Sequence, residues 1–157
     1  MVVVENITLS KDKEIETDGN FTVNNYSLYL YGKLTVGGTL SLQSRYTYSY
    51  ANVNVKGNME IGGQQDNYMY FYLYEGSINV DGDLSISRKQ TWIETRLYQT
   101  NTNSDVSITV KGNMSVADGC YYIANWGAFT LGGNLSGNGY LQLSGSHKTV
   151  LDGTDRQ

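Results

Sequence analysis

Apolar and polar residues alternate along almost the whole chain, and glycine punctuates the alternation at intervals. The phrase apolar-x-apolar-x-Gly-x-apolar-x-apolar recurs as LTVGGTLSL (34–42), VNVKGNMEI (53–61), INVDGDLSI (78–86), ITVKGNMSV (108–116) and FTLGGNLSG (129–137). A weaker copy, IETDGNFTV (15–23), precedes these, and a degenerate one, TVLDGTDRQ (149–157), follows them. A period of two predicts β-strands with one buried face. In the copy around Gly57 the buried set is Val53, Val55, Met59 and Ile61. The glycine shares their inward parity, as expected where the chain bends and leaves no room for a Cβ. No segment sustains a helical period.

The repeat glycines are Gly19, Gly38, Gly57, Gly82, Gly112, Gly133 and Gly153, with successive spacings of 19, 19, 25, 30, 21 and 20 residues. Self-similarity near 20 residues, with longer excursions, predicts a solenoid whose coils absorb insertions at their corners. The expected fold is all-β, a single-stranded parallel β-helix of about six coils of roughly 19–30 residues, forming one domain over residues 1–157. Residues 1–14 read as an N-terminal cap, and the polar stretches 62–68 and 99–105 read as corner loops. Asn20, Thr39, Asn58, Asp83, Asn113, Asn134 and Thr154 follow the glycines. Asn and Asp suit a corner, and stacked coils would set these residues in a ladder. The chain has no proline, which fits strands that pair on both sides, since each proline would remove a ladder donor. The rival fold is an antiparallel sandwich or barrel. Its hairpin signals, Asp-Gly or Asn-Gly at Gly19, Gly82, Gly119, Gly139 and Gly153, are irregularly placed.

One strand of each coil, just before the repeat phrase, is crowded with aromatic residues. Parity counted from the glycines turns Tyr29 and Tyr31, then Tyr48 and Tyr50 with Tyr46, outward, leaving Leu28, Leu30, Thr47 and Ser49 inside. In the next row Met69, Phe71 and Leu73 are the core candidates and Tyr70, Tyr72 and Tyr74 face out. That row needs a parity shift, which a bulge at Glu75-Gly76 would supply. In the fourth row Thr91, Ile93, Thr95 and Leu97 alternate with outward Trp92, Glu94, Arg96 and Tyr98. The fifth row, CYYIANW (120–126), does not resolve by parity. The outward set Tyr29, Tyr31, Tyr46, Tyr48, Tyr50, Tyr70, Tyr72, Tyr74, Trp92 and Tyr98 is the candidate binding stripe. Stacked tyrosines stabilise neighbouring strands, and a contiguous exposed aromatic patch also marks a partner surface. Strands repeat about every 4.8 Å, the order of a sugar ring.

The remaining chemistry is sparse. The 11 basic and 15 acidic residues give a net charge of −4 without a Lys/Arg cluster, so nucleic acid is not an expected partner. No stretch is long and apolar enough for a membrane-spanning helix, and no signal-peptide pattern is visible. Cys120, the one cysteine, has no internal disulfide partner. The one histidine, His147, has no nucleophile at a recognisable spacing. Asp81 and Asp83 flank Gly82 as paired carboxylates, a pattern open to glycosidase or metal chemistry. They also fill the corner places held by Lys56 and Asn58, and by Lys111 and Asn113, in the adjacent copies, which is the preferred reading. Asn20, Asn25, Asn113 and Asn134 open glycosylation sequons, mostly by-products of the repeat. Thr100 and Thr102 form a lone Thr-x-Thr pair. No catalytic residue, cofactor or metal site is expected.

The glycine-punctuated phrases and the closing GSHKTVLDGTDRQ, with His147, Lys148, Val150, Gly153 and Gln157, resemble the parallel β-helix repeat regions of secreted or surface-anchored bacterial proteins. The resemblance implies a right-handed coil, extracellular or cell-surface display, and an adhesive or spacer role. The tyrosine density exceeds what a spacer needs. The expected function is therefore a non-enzymatic structural and adhesive module whose aromatic stripe is its contact face. Its expected partners are a polysaccharide or a surface protein. The alternatives are a carbohydrate-binding module and, more remotely, a fragment of a β-helical polysaccharide-active enzyme. A solenoid end without a cap leaves open strand edges, so end-to-end self-association is also expected.

Overall fold

A computed structural model describes residues 1–63, 68–99 and 105–153. The described residues form β-strands and turns, three strands to a coil. The first coil holds β1 (Val2–Val3), β2 (Ile7–Leu9) and β3 (Glu14–Thr17). The second holds β4 (Phe21–Asn24), β5 (Leu28–Leu30) and β6 (Lys33–Val36), and the third β7 (Leu40–Gln43), β8 (Tyr46–Ser49) and β9 (Val53–Val55). Then follow β10 (Met59–Gly62), β11 (Met69–Leu73) and β12 (Ser77–Val80), and after them β13 (Leu84–Ser87), β14 (Thr95–Gln99) and β15 (Ser107–Val110). The sixth coil holds β16 (Met114–Val116), β17 (Cys120–Ala124) and β18 (Ala128–Leu131), and the last β19 (Leu135–Ser136), β20 (Tyr140–Leu143) and β21 (Lys148–Leu151).

Every third strand pairs in parallel, giving three seven-stranded sheets. Sheet A begins with β1, sheet B with β2 and sheet C with β3. The molecule is a right-handed parallel β-solenoid of about seven turns. The seventh turn comes from residues 1–14, expected as a cap. They supply strands of the first coil, where β1 pairs with β4 and β2 with β5 in parallel, and Val3 and Leu9 are buried.

Each repeat phrase is one strand of sheet C, a corner, and the next strand of sheet A. The apolar positions at −4, −2, +2 and +4 from the glycine are the interior in the four middle copies: Leu34, Val36, Leu40 and Leu42, then Val53, Val55, Met59 and Ile61, then Ile78, Val80, Leu84 and Ile86, and Ile108, Val110, Met114 and Val116. At the corner the glycines stack, each donating its N–H to the glycine oxygen of the coil before, from Gly38 to Gly19 at 3.1 Å through Gly133 to Gly112 at 2.9 Å. The close approach explains the residue type. A Cβ on Gly57 would lie 2.6 Å from the Gly38 oxygen, a contact only glycine avoids.

The residues after the glycines form the expected ladder. Asn20 Oδ1 accepts from the Thr39 N–H at 2.9 Å, Asn58 from Asp83 at 2.9 Å, Asp83 from Asn113 at 2.7 Å, and Asn113 from Asn134 at 2.9 Å. Thr39 interrupts the series with a side chain too short to reach the next coil in the same way. Asp83 is thus a corner acceptor, and Asp81 pairs with Lys111 at 2.7 Å. Both serve the stacking of coils.

A single extra residue that changes the parity is absorbed where sheet B turns into sheet C. Leu30 and Leu34 are four residues apart, whereas Leu73 and Ile78 are five apart, yet all four point inward. Glu75-Gly76 supplies the extra residue as a turn, with Gly76 at φ 78°, so the parity shift occurs at a corner and not within a strand. Gly127, at φ 80°, does the same between β17 and β18. Of the expected corner loops, residues 64–67 and 100–104 lie outside the described residues. Gly62 belongs to β10, and Gln99 ends β14 with its side chain buried.

Sheet B carries polar residues into the core and satisfies them there. Ser44 and Thr47 share a 2.8 Å hydrogen bond. The Tyr122 hydroxyl donates to Gln99 Oε1 at 2.7 Å, and Gln99 Nε2 donates to the Val106 and Ala128 carbonyls at 3.2 and 3.1 Å. A buried amide without these partners would cost about 1–3 kcal/mol.

A tyrosine-paved face as the candidate functional site

Sheet B alternates strictly, with buried and half-buried positions exchanging along β8, β11, β14 and β17. Its half-buried positions carry the tyrosines. In-register parallel pairing converts one tyrosine per strand into a column along the solenoid axis. Tyr29, Tyr48, Tyr72 and Tyr98 are successive partners. Their ring centroids lie 5.2, 5.3 and 4.9 Å apart, with interplanar angles of 10°, 10° and 4°. A second column runs Tyr31, Tyr50, Tyr74, at 4.9 and 5.0 Å. A third begins with Tyr46 and Tyr70, at 5.9 Å. Neighbours within a strand are also close, with Tyr70 at 6.3 Å and Tyr74 at 5.9 Å from Tyr72.

Nine of the ten expected stripe residues therefore come together. Trp92 stands apart. It occupies the turn before β14, is 58% exposed, and donates its indole N–H to Gln90 at 2.6 Å. Thr91, expected inside, is exposed in the same turn. The alternation of the fourth row begins only at Ile93, because the preceding residues turn back through a hydrogen bond from the Ile93 N–H to the Gln90 carbonyl, 3.1 Å.

The fifth row resolves cleanly. Tyr122 points into the core and Tyr121 faces out, stacked at 4.9 Å on Tyr140 of the last coil. Between Tyr70 and Tyr121 the third column holds Arg96, whose guanidinium lies 4.7 Å from the Tyr121 ring centroid. Glu94 grips it at 2.6 Å and the Tyr98 hydroxyl accepts from Nη1 at 2.9 Å. A guanidinium on a ring face continues the stack by cation–π attraction, so the column runs Tyr46, Tyr70, Arg96, Tyr121, Tyr140. Sequence reasoning missed Tyr121 and Tyr140. A signal was present: Tyr121 lies 12 residues before Gly133, just as Tyr70 lies 12 before Gly82.

The geometry constrains what the face offers. Offset-stacked rings turn their faces toward one another, so a partner meets chiefly edges and phenol groups. Ring faces become available where columns end, at Tyr31 (42% exposed) and Tyr140 (57% exposed). Crowding perturbs the phenols. Burial, with Tyr98 and Tyr48 adding to it, pushes Tyr72 up to about 12, and burial also raises Tyr48, Tyr50 and Tyr70. The hydrogen bonds with Tyr98 and Glu94 hold Arg96 protonated well above its ordinary range. The charged groups set among the rings are Arg96 and the Glu94 carboxylate that holds it, and the Arg45 guanidinium lies 5.3 Å from the Tyr46 ring centroid.

Elsewhere, His147 Nδ1 lies 3.2 Å from the Trp126 carbonyl, and Cys120 is buried beneath sheet B. Among the described residues no three His, Cys, Asp or Glu side chains are grouped to hold a metal ion. The fold and this face define the class of protein: a parallel β-solenoid with a tyrosine ladder on one sheet. No protein-family model, curated protein or solved structure matches the chain.

Proposed function

We propose that the chain is a non-enzymatic structural and adhesive module, displayed outside the cell or on its surface, with the tyrosine face of sheet B as its contact surface. One observation carries the reading: in-register columns of half-buried tyrosines cover one flat sheet. Their cross-strand stacking accounts for part of this density. Their alignment into a continuous, hydroxyl-bearing face is the feature a spacer does not need. Tyrosine suits adhesion because it offers large contact area at low conformational cost and keeps a hydrogen-bonding tip. Extracellular display rests on the resemblance of the repeat phrases to bacterial surface β-helices.

The exposed rings at the column ends favour a second reading, carbohydrate binding, in which Tyr31 and Tyr140 stack on sugar rings. One experiment separates the two. The protein is tested for retention on protein-coated surfaces and on insoluble polysaccharides, beside Tyr48→Ala, Tyr72→Ala, Tyr31→Ala and Tyr140→Ala, each checked for fold by circular dichroism. Adhesion to protein lost in Tyr48→Ala and Tyr72→Ala supports the contact face. Polysaccharide retention lost in Tyr31→Ala and Tyr140→Ala supports the second reading. Retention that none of the four variants alters would remove the tyrosine face from both.

A further inference from the structure

The column at the edge of the paved face has a chemistry that adhesion does not use. Tyr31, Tyr50 and Tyr74 directly follow β5, β8 and β11, on three successive coils. Their rings stack at 4.9 and 5.0 Å, with interplanar angles of 10° and 11°. The backbone beneath them is pinned in register. Leu30 is the partner of Ser49, and Ser49 of Leu73. The N–H groups of Tyr50 and Tyr74 donate to the Leu30 and Ser49 carbonyls at 2.7 and 2.8 Å. Three identical phenols are thus anchored one strand spacing apart, about 4.8 Å. The chain turns toward sheet C after each of them, so this column is the edge of the paving, with Tyr72 of the central column 5.9 Å from Tyr74. Tyr31, 42% exposed, opens the stack to solvent.

Charge sets this column apart from the others. In the central column the Tyr98 hydroxyl accepts from Arg96 at 2.9 Å. The third column has the Arg45 guanidinium over Tyr46 and the Arg96 guanidinium over Tyr121. At Tyr50 burial raises the phenol, and Tyr74, Tyr31 and the Glu75 carboxylate add to the rise. Taking an electron from a phenol leaves it positively charged, a step that a nearby cation opposes and a carboxylate favours. The edge column is therefore the one whose surroundings favour oxidation. Cys120 is free and buried, so no disulfide joins one coil to the next.

We propose that the column of Tyr31, Tyr50 and Tyr74 is an oxidative modification site, where a one-electron oxidant couples stacked tyrosines into dityrosine and joins successive coils covalently. The oxidant is of the class formed by a haem peroxidase with hydrogen peroxide. It takes one hydrogen atom from the Tyr31 hydroxyl and one from the Tyr50 hydroxyl. Each radical spreads its unpaired electron onto the ring carbon beside the hydroxyl-bearing carbon. These two Cε carbons form a C–C bond, and the proton on each then moves to its own Oη through water, restoring both phenols. The two electrons and two protons removed reduce one peroxide to two waters. Tyr50 and Tyr74 couple in the same way. Stacking removes the search for a partner, which is the slow part of a reaction between two radicals on separate chains. The rings stand on the outward side of the sheet, so they can pivot into the bonding position while the strands stay paired.

The test treats the full chain, at high dilution, with a haem peroxidase and hydrogen peroxide. The expected product runs as a monomer on a denaturing gel, shows dityrosine fluorescence, and is lighter by two hydrogen atoms for each bond formed. After unfolding and cleavage at lysine and arginine, residues 14–33 should be found joined to 46–56, or 46–56 to 57–88. Tyr50→Phe keeps the ring and removes the partner that both links share, so the dityrosine yield should fall by about tenfold. Tyr48→Phe, in the central column, should keep most of the yield. Tyr31→Phe should lose the link between 14–33 and 46–56 and retain the one between 46–56 and 57–88, a selective loss that a misfolded variant would not give. A yield unchanged in Tyr50→Phe, or lowered as much in Tyr48→Phe, overturns the assignment to this column. A product joined only between molecules overturns the proposal outright. Coupling in a protein that adheres to no surface would support this inference while removing the adhesive reading, so the two fail separately.

Discussion

Tyr72 sits at the centre of the paved face, and its truncation tests how that face is held. Its ring is offset-stacked on Tyr48 and Tyr98, at 5.3 and 4.9 Å. Aromatic pairs of this kind contribute about 0.5–1.5 kcal/mol each. Tyr72→Ala should therefore cost about 1–3 kcal/mol, against a stability of about 5–15 kcal/mol for a domain of ordinary stability. At about 2–4 °C per kcal/mol for this chain length, the melting temperature should fall by about 4–8 °C for a 2 kcal/mol loss, and the variant should remain folded. Tyr72→Phe keeps the stacks and should shift it by less than half as much. Phe71→Ala, one residue along and on the core side, is the internal reference and should cost about 3–5 kcal/mol. Thermal unfolding followed by circular dichroism reads all three. A Tyr72→Ala protein that melts like the wild type would mean that the columns are exposed rings without mutual support. One as unstable as Phe71→Ala would place Tyr72 in the core and sink the separation of contact face from scaffold.

Alkali should unfold the solenoid from its tyrosine face. Tyr72 is held at about 12 in the folded state, against about 10 in an unfolded chain. The folded state thus retains protons that the unfolded state loses. Its contribution is complete below pH 10 and is lost as pH rises through 12. Wild type should lose melting temperature over that window more steeply than Tyr72→Phe, and equal slopes would refute the assignment. Gly57→Ala should weaken the stacking of coils by about 1–3 kcal/mol or more, since its Cβ would press on the Gly38 carbonyl. Urea unfolding measures it, and an unchanged midpoint would contradict the tight corner. Cys120 is buried and burial raises its thiol, so a thiol reagent should leave it unmodified in the native protein and label it once urea unfolds the chain. Rapid labelling of native protein would contradict its burial.

The alternation and the glycine spacing determined the solenoid and most of its interior, because both are local. Side-chain direction in a strand has a period of two, and a corner that admits no Cβ demands glycine at each turn of the coil. That was enough to place Val53, Val55, Met59 and Ile61 inside, to set Asn58 and Asp83 in the corner ladder, and to turn nine tyrosines outward. Tertiary structure decided matters that depend on how coils of unequal length stay in step. The extra residues at Glu75-Gly76 and before Gly127 are absorbed at a corner, which puts Tyr121 outside and Tyr122 inside, a choice that local parity leaves open. The turn before Ile93 removes Trp92 from the stripe that its spacing assigned it to. Residues 1–14 become a coil because the edge of β4, β5 and β6 gives them partners, and a charged segment read in isolation carries no sign of that template. Arg96 completes a column of rings only because Tyr121 stacks beneath it and Glu94 holds it there, and both contacts come from register between strands.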